Sequence, residues 1–163
     1  MDFMIEEVSN EDAKAVIDLF NHYVMNSFAA YPEEAVPYEF FNLFLNLSKD
    51  YPFLVAKDGT GSLLGFALLR PYSPIPVFFN TAELTCFIAP EHTGKGLGRG
   101  LLSRLLDAAS KKGIKNILAG ISSLNLTSLA FHSKCGFVEC GRFPAAGRKW
   151  GRDFDVVWMH KVI

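Results

Sequence analysis

Residues Thr81–Lys112 read TAELTCFIAPEHTGKGLGRGLLSRLLDAASKK, and this stretch decides the fold. A short apolar run ends at Pro90, then Gly94, Gly96, Gly98 and Gly100 fall at every second position before an amphipathic pattern begins. Leu97, Leu101, Leu105 and Ala109, with Leu102 and Leu106 beside them, make its apolar stripe, and Gly113 stands where a C-terminal cap belongs. A strand that passes into a helix through a glycine-rich turn makes an anion site, because the first helical N–H groups have no intrahelical partner and carry the positive end of the dipole. Glu83 lies inside the leading strand. The stretch therefore points to a phosphate-bearing cofactor at the loop with a base beside it.

The spacing G-x-G-x-G-x-G is not the dinucleotide fingerprint, and the next predicted strand, Asn116–Ile121, does not end in an acid. A Walker loop requires Ser or Thr after the lysine, whereas Gly96 follows Lys95. A pyrophosphate loop of the form Gln/Arg-x-x-Gly-x-Gly/Ala fits Thr93–Gly98 in its glycines.

Outward from this stretch, strands are predicted at Phe3–Val8, Phe53–Lys57, Leu63–Arg70, Thr81–Ala89, Asn116–Ile121, Phe137–Cys140 and Phe154–Lys161. Ser9–Asp12 reads as a capping box before a helix that fades near Asn26. Pro37 starts a second helix, Leu97 a third, and Asn125 caps a short fourth that runs to Cys135. Asp58-Gly59-Thr60-Gly61 is a hairpin turn, and Pro71–Asn80, with three prolines, is a stiff loop. The predicted fold is α+β: one mixed, mostly antiparallel, twisted sheet with helices on both faces, in a single domain spanning 1–163.

The net charge of −1 supplies no basic field for nucleic acid or an anionic membrane, and no apolar run reaches the roughly 20 residues of a membrane span. Three cysteines without a CxxC pair argue against a disulfide framework or zinc site and suit a reducing cytoplasm.

The chain resembles the GNAT acetyltransferase superfamily, and within it the phosphinothricin and methionine-sulfone acetyltransferase group. The likeness rests on Asn21-His22-Tyr23, Tyr51–Ala56, Thr81-Ala82-Glu83, Pro90–Gly98, Asn125, His132–Phe137, and Ala145–Gly151 before Asp155-Val156. The resemblance implies acetyl-CoA as co-substrate and no metal. It assigns Cys86, Phe87 and Ile88 to the pantetheine arm, with Asn125 bonding the same arm, and Thr93, Gly94, Lys95, Gly96, Leu97 and Gly98 to pyrophosphate. Thr93 departs from the usual Gln or Arg, a loss for which Lys95 offers a charge. It makes Glu83 the general base. Burial among apolar neighbours would raise the pKa of that carboxylate; the other reading of Glu83 is an ion-pair partner. His132 is placed near the coenzyme sulfur, as an acid for the thiolate or as a hydrogen-bonded helix histidine.

For the acceptor the resemblance implies a small amino-acid-like amine held by Tyr31, Phe79, Asn80 and Thr81. Ile75 and Phe79 stand where relatives carry an arginine for a carboxylate, which leaves Arg70, Arg148 or Lys149 for an anion, or else a more apolar acceptor. The basic cluster Arg142–Arg152 reads either as substrate-binding, from this or a neighbouring subunit, or as a solvated hairpin. The family habit implies a homodimer and direct transfer, with Cys86 a strand residue and not a nucleophile. The rival readings are a protein N-acetyltransferase of the same fold, a non-catalytic acyl-CoA sensor and a nicotinamide dehydrogenase.

Overall fold

The structure is a computed structural model and describes residues 2–163. Seven strands form one sheet: β1 (Met4–Glu7), β2 (Phe53–Lys57), β3 (Leu63–Pro71), β4 (Thr81–Ile88), β5 (Asn116–Ser122), β6 (Val138–Lys149) and β7 (Arg152–Val162). Their order is β1-β2-β3-β4-β5-β7-β6, antiparallel throughout except for the parallel pair β4–β5. The helices are α1 (Ala13–Asn26), α2 (Phe41–Leu47), α3 (Leu97–Lys111) and α4 (Leu126–Lys134). The α+β architecture read from the sequence is the one observed.

Two cores share the sheet. On one face α3 inserts Leu97, Leu101, Leu102, Leu105 and Ala109 against Leu84, Ile117, Ala119 and Met159. On the other, α1 and α2 pack Val16, Ile17, Phe20 and Phe44 against Phe53, Phe66, Leu68 and Phe87. Side chains alternate along a strand. On β4, Ala82, Leu84, Cys86 and Ile88 therefore point to α3, and Glu83, Thr85 and Phe87 to α1. The Ser9–Asp12 box closes as expected, with the Ser9 N–H donating to Oδ2 of Asp12 at 2.8 Å. The Asp58–Gly61 hairpin carries its positive φ at Gly61 alone of its two glycines.

The largest departure lies at the C-terminal hairpin. The predicted ends, Phe137–Cys140 and Phe154–Lys161, are the limbs of a much longer ribbon, β6 and β7. Gly141, Pro144, Ala145, Ala146 and Gly147 depress strand propensity, so the sequence reads as loop. Proline and irregular register are tolerated because β6 lies at the sheet edge, where the pairing shifts between Glu139 and Gly141 and again between Phe143 and Gly147. Gly147 has a steric reason. A Cβ there would stand 2.1 Å from the ring of Phe154, which in turn stacks on Tyr31 with centroids 5.6 Å apart.

Among the described residues no helix is long and apolar enough to cross a membrane. The substitution Gly147→Ala should displace the Phe154 ring and cost about 1–3 kcal/mol by overpacking, read as a lower urea midpoint at unchanged m-value.

Candidate active site

The strands β4 and β5 pair only at Thr81↔Asn116, Ala82↔Ile117 and Glu83↔Leu118. Beyond Glu83 they diverge. β4 stays with β3 as far as Gly65↔Ile88, and β5 stays with β7 as far as Ser122↔Val156. A wedge opens in the middle of the sheet. Thr81 gives its carbonyl to Tyr72 on the β3 side, and Ala89 gives its N–H to Leu64 there. The backbone groups of Thr85 and Phe87 therefore turn toward β3, while those of Cys86 and Ile88 turn into the wedge. An extended arm laid there can pair with the Cys86 N–H and C=O and the Ile88 N–H. The Tyr23 hydroxyl takes the Ile88 carbonyl.

The glycine loop closes the wide end. Gly94 and Gly96 have φ of +73° and +86°, the left-handed region that a side chain resists. They turn the chain so that α3 starts at Leu97 with no side chain capping its first N–H groups. Gly98 and Gly100 serve packing instead: a Cβ on Gly98 would meet the Phe131 ring at 3.2 Å, and one on Gly100 the Phe3 ring at 3.1 Å. Thr93, Gly94, Lys95 and Gly96 are exposed, whereas Leu97 is buried and offers only backbone. Lys95 donates to the Glu91 carbonyl at 2.7 Å and so braces the loop. Asn125 caps α4, accepting from the Ser128 N–H at 3.2 Å.

Glu83 sits where the wedge begins, on the α1 face. The ion-pair reading of this residue is realised. Arg70, directly opposite on β3, donates Nε and Nη2 to its Oε2 at 3.0 and 2.6 Å. Oε1 accepts no hydrogen bond from the described residues. Tyr31 lies across the wedge on the same face, its hydroxyl 3.4 Å from the Gly120 carbonyl.

An unpaired strand edge, an uncapped glycine-turned helix start and a carboxylate between them suit an extended, phosphate-bearing ligand delivering a reactive group near Glu83. The model of the acetyltransferase (GNAT) family matches residues 16–137. The chain belongs to that family. It is 34% identical over 155 residues to the L-methionine sulfoximine/L-methionine sulfone acetyltransferase of Salmonella typhimurium, covering 91% of this chain and 87% of that one. A phosphinothricin acetyltransferase from Sinorhizobium meliloti, solved with acetyl-CoA, is 27% identical with a TM-score of 0.93, covering 100% and 89% of the two chains. A ribosomal-protein-alanine N-acetyltransferase from Brucella melitensis is 33% identical with a TM-score of 0.91, covering 98% and 99%.

Within this GNAT protein the residues singled out in the sequence are only partly gathered. Glu83, Cys86 and Ile88 lie along β4, and Thr93–Gly98 run from the following turn into the first residues of α3. The Phe87 ring packs with Phe20 and Phe66 in the α1-side core, and its backbone faces β3. Asn80 uses its carbonyl for the N–H groups of Lys115 and Asn116, and Thr81 lies on the Glu83 face. Phe79 leans on Tyr51 with ring centroids 6.5 Å apart, and Tyr51 packs against the α3-side core. The stiff loop exposes Ile75, Val77 and Phe79. In the basic cluster Arg142 pairs with Glu139 and Asp155, and Arg148 with Asp153. Lys149 is buried and bound to three carbonyls, and is not free to hold a substrate anion. The sequence reading offered Arg70 as an anion holder but not as the partner of Glu83, and gave Tyr23 no role of its own. Tyr23 stood in a quoted motif, and Arg70 faces Glu83 only once the hairpin register is known.

His132 is buried, and its Nδ1 lies 2.8 Å from the Ser128 carbonyl, the geometry of an N–H donor. Burial pushes its pKa down, opposed by that backbone bond. A neutral ring with its proton on Nδ1 presents an acceptor at Nε2, which is the hydrogen-bonded helix histidine and withholds the proton an acid must give. Burial pushes the Cys86 thiol up to about 12, so it stays protonated at neutral pH and is a poor nucleophile.

Two outcomes follow. Cys86→Ala should keep kcat within about threefold, since no covalent intermediate is formed at this sulfur. For His132, the folded pKa lies below the unfolded one, so the unfolded chain binds more protons as pH falls. Its contribution to stability is full above the unfolded value of 6.5 and is lost as pH drops below it. Melting temperature should therefore fall more steeply from about pH 7.5 to about pH 5.5 in the wild type than in His132→Asn; parallel profiles would show that the imidazole is not held neutral.

Proposed function

We propose that this protein transfers the acetyl group of acetyl-CoA to the primary amine of a small amino-acid-like molecule, by direct attack in a ternary complex, with residues 1–163 acting as one domain. The observation that carries this reading is the end of β4–β5 pairing at Glu83, which sets a carboxylate at the mouth of an unpaired strand edge. Acetyl-CoA supplies an activated acyl carbonyl and a thiolate leaving group.

The chain's own residues then have separate tasks. Cys86 holds the arm through its backbone N–H and C=O, and the N–H of Ile88, whose own carbonyl is taken by Tyr23, steadies the developing oxyanion. Gly94–Gly98 and the N-terminus of α3 take the pyrophosphate. Oε1 of Glu83 receives the ammonium proton, directly or through water, while Arg70 holds Oε2 and keeps the carboxylate aimed. The Nη1 group of Arg70 makes no bond to the described residues and receives the acceptor carboxylate. Lys149 is enclosed by carbonyls and Arg148 lies in an exposed pair with Asp153, whereas Arg70 lies directly beside Glu83. Tyr31 and Thr81 flank the amine. The thiolate, of modest basicity, leaves without an acid from His132. Holding both partners in line accounts for roughly 7–11 kcal/mol of the acceleration.

The homodimer expectation has support in the exposed β6 edge, where Val138 and Phe143 are uncovered. A cytoplasmic setting accords with three free cysteines.

The test combines thiol release with one variant. Wild-type protein should release thiol from acetyl-CoA with L-methionine sulfone or phosphinothricin, and not with short peptides; turnover of peptides alone would favour the protein-directed reading. Acetyl-CoA, but not NAD, should raise the melting temperature. Glu83→Gln should lose about 10²–10⁴-fold in kcat with its acetyl-CoA affinity retained. Unchanged kcat removes Glu83 as the base, and binding without turnover of any amine favours a sensor.

A further inference from the structure

Lys149 is the one large charged side chain buried to 1% exposure among the described residues. Its ammonium donates to the carbonyls of Val24, Ser27 and Ala30, each at 2.7 Å. These bonds use all three of its N–H donors. The Trp150 ring lies against the same ammonium, 4.2 Å from Nζ to the ring centroid. Val24 belongs to the last turn of α1, where carbonyls lack intrahelical partners and the dipole is negative. Ser27 and Ala30 belong to the corner that follows.

The next residues are tied to the same hairpin end. The Trp150 N–H donates to Glu33 Oε1 at 2.6 Å. Phe28 meets the rings of Trp150 and Phe154 edge-on. Tyr31 stacks on Phe154 at an interplanar angle of 21°. The tip of the β6–β7 ribbon thus grips the segment that carries Tyr31, more than 110 residues away in sequence by the span from Ala30 to Lys149. A neutral apolar side chain would fill the space and leave three buried carbonyls without donors. Arginine, with its wide planar fork, does not match three carbonyls converging on one point.

We infer that Lys149 is a positioning residue for the acceptor: its ammonium fixes the corner through Ala30 and so holds Tyr31 over the Glu83 side of the wedge. This rests on the reading above that the acceptor binds on that face. The Ala145–Gly151 motif then has a task besides its turn. It is the buckle that closes the acceptor side, and the cofactor side does not depend on it.

The experiment uses the full chain with Lys149→Met. Hydrogen exchange at residues 27–36 should quicken about tenfold or more, while β4 and α3 stay as in the wild type. KM for L-methionine sulfone should rise about tenfold or more, with KM for acetyl-CoA within about twofold. Lys57→Met, which removes an ion pair with Asp12 and Glu6 far from the ribbon tip, serves as the control for general destabilisation and should leave the acceptor KM in place. Trp150→Leu keeps the carbonyl cage, removes the ring under the ammonium, and should raise the acceptor KM about threefold; it carries the test if Lys149→Met does not fold. Unchanged exchange in the 27–36 segment overturns the proposal whatever the substrate. Faster exchange with an unchanged acceptor KM overturns it too and leaves Lys149 purely structural. If wild-type protein acetylates no amine, the functional reading fails, and the exchange measurement alone decides whether Lys149 holds the corner.

Discussion

Backbone hydrogen bonding between β4 and β5 governs the rest of the molecule. Three register pairs hold the strands together at Thr81–Glu83 and none beyond. A sheet interior does not ordinarily leave strand edges unpaired, because each orphaned N–H or C=O has to find a partner or water. Here the divergence is enforced from both sides. β4 is carried away by its long ladder with β3, and β5 by its ladder with β7. β4 packs on both faces, with Leu84 in the α3 core and Phe87 in the α1 core, while β5 places Ile117, Ala119 and Ile121 in the α3 core. The gap is thus set by the two long ladders on either side of it and is not a local defect.

That geometry explains why the glycines are not equivalent. Gly94 and Gly96 are needed for backbone conformation, since both have positive φ. Gly98 and Gly100 are needed for close approach, to Phe131 and Phe3. The first pair shapes the turn that points the helix start into the wedge. The second lets α3 lie close enough to α4 and the N-terminal segment for that aim to be kept. An alanine would act through backbone strain at the first pair and through displacement of the helix at the second.

Much of this was legible before any coordinates, for physical reasons that can be named. The apolar stripe of α3, the Asn125 cap and the Ser9–Asp12 box are local signals, read within a turn or two of helix. Most of the residues proposed for the cofactor, Cys86–Ile88 and Thr93–Gly98, belong to one contiguous stretch, so the turn and helix start they form could be read locally. The residues proposed for the acceptor lie far apart in the chain, so local patterns do not say what each one packs against. Phe79 is close to Thr81 in sequence yet turns to Tyr51. Lys149 looked like a free cation among basic neighbours and is enclosed by carbonyls from α1 and its corner. The ribbon itself was read as two short strands because glycine, alanine and proline suppress strand propensity where an edge position tolerates them.

The pairing of Glu83 with Arg70 bears on what the acceptor is. A base set among apolar groups would suit an acceptor carrying a single positive charge. A carboxylate already facing a guanidinium makes a site with both signs of charge side by side, at 2.6 Å separation. The ligand that complements such a pair has an ammonium and a carboxylate at neighbouring positions, one for Oε1 and one for the open edge of the arginine. An α-amino acid has that arrangement and a simple alkylamine does not. The apolar surface of Ile75, Val77 and Phe79 lies on the loop that joins Arg70 to Glu83, outside this polar pair. In the proposed reading, charge at the strand pair would select the α-amino and carboxylate end of the acceptor, with the Tyr31 ring, stacked on Phe154 of the C-terminal ribbon, beyond it.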